Sequence, residues 1–120
     1  MFEAQLLHGA SDPFVIVYSP WFPRGGDNAR FTLEIVAVGN VSGSVALQVD
    51  IYHKNSEDTG DGGVHTSNLF SGLTSAAGRS TQEVEALKEL VRYRYVVKDG
   101  SSDWVLFRML PPVWFDAVSA

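Results

Sequence analysis

The chain has 120 residues, of which 45% are hydrophobic and 19% charged, with a formal charge of −5 and no cysteine. That length suits one domain around one core, and the composition is that of a globular protein rather than a disordered chain or a coiled coil. The acidity argues against nucleic acid, whose phosphates are held by clustered Lys and Arg, and against an anionic membrane as partner. The missing cysteine excludes disulfides, a thiol nucleophile and a thiolate metal site.

Residues 1–10 contain no basic n-region and no sustained apolar run, and no stretch reaches the roughly 18 apolar residues of a membrane span, so cytoplasmic synthesis without a signal peptide is expected. Residues 14–18 form a short apolar run bounded by Pro13 and Pro20, which suits an early strand near a sheet edge. The segment 18–23 then places Trp21 and Phe22 between prolines. Residues 23–28 expose glycine amides as an anion-binding loop does, but lack the Lys-Ser/Thr of a phosphate loop and a following helix. They read as a tight turn delivering Phe31 into its strand.

From Arg30 the pattern alternates, with Phe31, Leu33, Ile35 and Ala37 on one face and Thr32 and Glu34 on the other, which predicts a half-buried strand. A turn at 40–43 leads into a second alternating run, with Val45, Leu47, Val49 and Ile51 inward and Ser44, Gln48, Asp50 and Tyr52 outward. The two are expected to pair as a hairpin. Residues 53–78 are rich in Gly, Ser, Asp and Asn, with room for a short edge strand within 64–73.

Segment 80–90 has two readings. Ser80 and Glu83 have capping-box spacing, and Val84, Leu87 and Val91 recur at helical intervals, which leaves a short helix near 81–90 open. Leu87, six positions before Tyr93 in 87–97, resembles instead the approach to the tyrosine corner of fibronectin type III and immunoglobulin-like domains. That resemblance implies a strand and a Tyr93 hydroxyl bonded back to the chain. The strand is the preferred reading.

Val91, Tyr93, Tyr95 and Val97 share one face of a third strand, opposite Arg92 and Arg94. After a turn at 98–103, residues 104–110 make a fourth, expected to form a second hairpin with the third, and 113–118 supply a last strand. The expected fold is one all-β domain over 1–120, an antiparallel β-sandwich of about seven to eight strands in immunoglobulin-like or jelly-roll-like order. Its core is expected from Phe31, Leu33, Ile35, Val45, Leu47, Val49, Ile51, Tyr93, Tyr95, Leu106 and Phe107.

The chemistry-bearing residues do not form a recognisable enzyme. His8, His53 and His65 lack metal-ligand spacing, and neither a G-x-S-x-G elbow nor a placed pair of acids is present. No catalytic residue, cofactor or metal is expected. Asp58 and Asp61, in the Gly-rich acidic stretch 57–63, are the calcium candidates, against a solvated turn as the simpler explanation.

The surplus aromatics carry the functional expectation. Trp21 and Phe22 near one end, and Pro111, Pro112, Val113, Trp114 and Phe115 near the other, are stiffened by prolines. They either close the sandwich of their own subunit or dock on a neighbour, with segments 1–12 and 111–120 acting as arms. The expected protein is a non-enzymatic structural subunit that self-assembles into a homo-oligomeric particle, shell, tail or fibre, such as a capsid-decorating or other virion component. Its partners are copies of itself and, in a larger assembly, another structural protein. The alternative is a monomeric carbohydrate- or ligand-binding module using Trp21 or Trp104 as a stacking platform.

Overall fold

The structure is a computed structural model that describes residues 4–8, 15–39, 46–70, 77–98 and 104–116. Ten strands run in chain order: β1 Gln5–His8, β2 Val15–Tyr18, β3 Phe22–Pro23, β4 Asn28–Gly39, β5 Ala46–Lys54, β6 Gly63–Thr66, β7 Gly78–Val84, β8 Leu90–Lys98, β9 Trp104–Met109 and β10 Val113–Phe115. Two of them are continuations of others. β2 and β3 lie end to end along β8, and β9 and β10 lie end to end along β4, so the ten strands occupy eight positions.

Proline explains both interruptions, because it has no N–H for the ladder. Between β2 and β3, Ser19 stands in for it. Its N–H donates to the Tyr93 carbonyl at 2.9 Å, and its hydroxyl accepts from the Tyr93 N–H at 2.8 Å. Between β9 and β10, Leu110 N–H still reaches the Thr32 carbonyl at 2.9 Å, and Pro111 and Pro112 then carry the chain across.

One sheet has the order β1, β9/β10, β4, β7, and the other β2/β3, β8, β5, β6, all antiparallel. β1 pairs with β9, β2 with β8, β4 with β7 and β5 with β6, so the first half of the chain lies antiparallel along the second and the double strip is rolled into two sheets. This is the jelly-roll order. Both expected hairpins are therefore replaced by crossings: β4 and β5 lie in opposite sheets, as do β8 and β9.

No helix occurs among the described residues. Segment 78–84 pairs with β4 over seven residues, from Ala29 opposite Val84 to Ile35 opposite Gly78, and those ladder bonds replace the helical option that the local spacing left open. Ala86, with φ of 58°, then turns the chain towards β8. Leu87 does pack inward, its N–H held by the Asp27 carbonyl at 2.8 Å, but no tyrosine corner forms. The Tyr93 hydroxyl is buried and has no hydrogen-bond partner among the described residues.

The core lies between the sheets. Phe31, Leu33 and Ile35 of β4 with Phe107 and Met109 of β9 face Leu47, Val49 and Ile51 of β5 with Tyr93, Tyr95 and Val97 of β8. Tyr95 meets Phe107 at 4.9 Å between ring centres, and Phe31 meets Tyr93 edge to face at 5.7 Å. Expected core residue Leu106 points outward instead, since its neighbours Val105 and Phe107 take the inner positions. Val45 lies outside the described residues.

Burial, followed by the neighbouring Tyr95, pushes the Tyr93 phenol well above the usual tyrosine range, so it sits in the core as a neutral hydroxyl with no partner among the described residues. Such a group costs more than it returns. Tyr93→Phe is expected to leave stability unchanged or raise it by up to about 1 kcal/mol in urea unfolding; a loss of that size would reveal a hidden partner.

Candidate functional site: the outer face of the second sheet

The outer face of β2/β3, β8, β5 and β6 carries an unusual set of side chains. Alternation along β8 and β5 sends Arg92, Arg94, Asp50, Tyr52 and Lys54 outward as Tyr93, Tyr95, Val49 and Ile51 go in. β2 adds Tyr18, opposite Arg94. The break at Ser19 and Pro20 releases Trp21 from the ladder and lets it lie beside them.

Arg92 is at the centre. Its guanidinium carbon lies 4.3 Å from the Tyr18 ring centre, 4.5 Å from that of Trp21 and 5.7 Å from that of Tyr52. Tyr18 and Tyr52 meet edge to face at 5.9 Å. Arg92 Nη2 donates to the Asp61 carbonyl at 3.2 Å, and Lys54 Nζ, 4.8 Å from the Trp21 ring centre, donates to the Gly60 carbonyl at 3.0 Å. Each contact between a cation and a ring face is favourable by roughly 0.5–2 kcal/mol. The loop before β6 closes against this group at Gly62, where φ is +73° and a Cβ would stand 2.9 Å from the Trp21 ring.

Beside it, Asp50 is only 1% exposed although it belongs to an outward position. It accepts from Gln48 Nε2 at 2.9 Å, Asn68 N–H at 2.8 Å, Ser67 Oγ at 3.5 Å and Arg94 Nη1 at 3.4 Å. Arg94 Nη1 also reaches the Tyr52 hydroxyl at 3.3 Å. One carboxylate thus pins the segment after β6 over β5 and orients Arg94.

At the end of this sheet, His53 and His65 stack edge to face at 4.7 Å. His53 Nδ1 accepts from Lys88 N–H at 3.2 Å, and His65 Nε2 donates to the Glu85 carbonyl at 2.6 Å while its Nδ1 lies 2.7 Å from Thr66 Oγ1. The pair clamps the turn between β7 and β8. Burial, then the charges of His65 and Lys88, lower the His53 pKa, so the unfolded chain takes up its proton first as pH falls. Stability is therefore expected to be full above about pH 6.5 and to decline below it. Denaturant midpoints measured from pH 8 to 5 should show this slope, and His53→Asn, whose Oδ1 keeps an acceptor for Lys88, should flatten it.

The expected interface residues divide. Phe22 is buried in the core, and Trp114 packs against it, 6.3 Å from both Phe22 and Phe31 between ring centres. Gly25 admits that indole, since a Cβ there would stand 2.6 Å from it. Trp21 is boxed as described, Phe115 and Pro112 are half-buried, and Pro111 and Val113 are exposed. Residues 5–8 and 113–115 of the expected arms are strands of the sandwich; residues 1–3, 9–12 and 117–120 lie outside the described residues.

Asp58 serves its own turn, with Oδ2 accepting from Asn55 N–H at 2.9 Å, and Asp61 contributes its carbonyl to Arg92. Among the described residues no three His, Asp or Glu side chains converge as metal ligands. The Arg92 cluster and the histidine pair were not anticipated from sequence; the one available signal was that Arg92, Tyr52 and Tyr18 all fall on outward strand positions. In comparisons with known proteins, no family model matches the chain, and no curated protein and no solved structure matches it.

Proposed function

We propose that the chain is a non-enzymatic structural subunit that assembles with copies of itself into a homo-oligomeric particle, shell, tail or fibre. The supporting observation is an apolar band across the outer face of the first sheet. Leu6 lies opposite Leu106, which lies opposite Ala37, and the bulge between Ile35 and Ala37 adds Val36. Leu6 is 53% and Val36 45% exposed, with half-buried Trp104 one step along β9.

Exposed apolar surface crossing three strands is what a protein contact covers. The other half of this face carries both signs of charge, with Arg30 on Glu83 at 2.8 Å and Glu34 held by Arg79 at 2.6 Å and Arg108 at 2.7 Å. Mixed charge beside an apolar band suits a self-complementary contact between identical faces.

Light scattering after size exclusion tests this. A discrete species at a multiple of 13.1 kDa is expected for the wild type, and a folded monomer for Leu6→Glu and Val36→Glu, which leave the core intact. A wild-type monomer at every concentration would overturn the reading. The Arg92 face favours a second reading, a ligand-binding module, which would operate in the monomer.

A further inference from the structure

Arg24, Arg30, Arg79, Arg94 and Arg108 each have a carboxylate oxygen within 3.4 Å. Arg92 is the remaining arginine of the sequence, and it has no carboxylate partner among the described residues. In a chain of net charge −5 this is a conspicuous vacancy, because acidic groups outnumber basic ones. Asp61 meets Arg92 through its backbone carbonyl. Lys54 repeats the pattern, with the Gly60 carbonyl as its hydrogen-bond acceptor and no carboxylate partner among the described residues. Both unneutralised cations lie against the same indole, Trp21.

We infer that the Arg92 face binds an anionic sugar, a carboxylate-bearing pyranose or a chain of them. A guanidinium offers a planar fork of N–H groups that matches a carboxylate, and its orientation here is set in advance by three rings and the Asp61 carbonyl, so little rotamer freedom is lost on binding. Arg92 Nε is buried without a hydrogen bond among the described residues and Nη2 spends one proton on the Asp61 carbonyl, so the fork offered to a carboxylate is the end-on pair of Nη1 and Nη2. Lys54, on the same ring, supplies a second positive charge for a neighbouring carboxylate. Tyr18, 45% exposed, adds a large amphipathic ring at the edge, against which the apolar face of a sugar packs. The site lies on an open sheet face, which suits an extended chain laid across strands. It is on the sheet opposite the apolar band and is independent of assembly.

The test is isothermal titration of the full chain with an oligogalacturonate, with the neutral oligosaccharide of equal length, a sulfated oligosaccharide and a poly-glutamate peptide as comparison arms. The expected result is binding of the oligogalacturonate that weakens with salt, and at least tenfold weaker binding of the neutral sugar and the peptide. Arg92→Lys, which keeps the charge and loses the fork, should lose about tenfold, and exposed-end variant Lys54→Met a smaller factor. Unfolding curves accompany each variant, and Lys54→Met guards against a folding defect at Arg92. Failure of the wild type to bind the oligogalacturonate, unchanged affinity in both folded variants, or equal or tighter binding of the peptide or the sulfated sugar would each overturn the assignment. The first outcome, with Arg92→Lys merely destabilised, would make Arg92 a structural clamp on Trp21.

Discussion

Phe31→Ala is expected to destabilise the protein by about 3–5 kcal/mol, the largest effect of any single substitution considered. Phe31 is fully buried on an inner strand of its sheet and touches the other sheet through Tyr93 and the end of the sandwich through Trp114. Its removal leaves a cavity that β-sheet backbones on both sides cannot collapse to fill. With about 4 °C per kcal/mol for a domain of this size, the thermal midpoint should fall on the order of 12–20 °C. Thermal and urea unfolding followed by circular dichroism measure both. A loss under about 1 kcal/mol would mean that the two sheets do not pack through Phe31, and would count against the jelly-roll core itself.

Asp50→Ala should cost about 3 kcal/mol, although alternation along β5 places that residue on the outer face. The substitution removes the acceptor of the Asn68 amide and takes the carboxylate from the Arg94 guanidinium, leaving it the Tyr52 hydroxyl, with its Nε already buried and without a hydrogen-bond partner among the described residues. Breaking a buried pair on one side costs more than the pair contributes, because the remaining charge stays desolvated. Asp50→Asn keeps an oxygen for Asn68 and should lose less. Arg94→Met in the Asp50→Ala background should recover part of the loss, read as a double-mutant cycle. Hydrogen exchange at the amides of Asn68 and Leu69 should accelerate more than at β8. Equal acceleration everywhere would show that Asp50 acts on global stability alone.

These two residues illustrate how far sequence reading reaches. Phe31 was legible because a period of two over β4 marks one buried face whatever the strand pairs with. Asp50 was legible only as an outward residue. Its burial depends on the segment after β6 folding back so that Leu69 N–H meets the Val49 carbonyl, a contact with no counterpart in local pattern. Trp114 is a similar case: its prolines marked it as held in place, but whether it met its own Phe22 or a neighbour depended on where β10 lay.

Local pattern was enough to specify a cysteine-free, all-β sandwich and where most of its strands run, because alternation, proline and turn residues act over a few positions. It also marked most of the inner face. Tertiary structure decided which strands pair. A hairpin and a crossing to the opposite sheet bury the same alternating face, so β4 and β5 read alike either way, and only the competition of all eight positions for partners selects the jelly-roll order. The same long-range choice turned 78–84 into a strand on β4 rather than a helix, brought His53 to His65, and gathered Tyr18, Trp21, Tyr52 and Arg92 from β2, the segment before β3, β5 and β8 onto one face. That cluster joins residues up to 74 positions apart, Tyr18 and Arg92, a reach that no local pattern encodes.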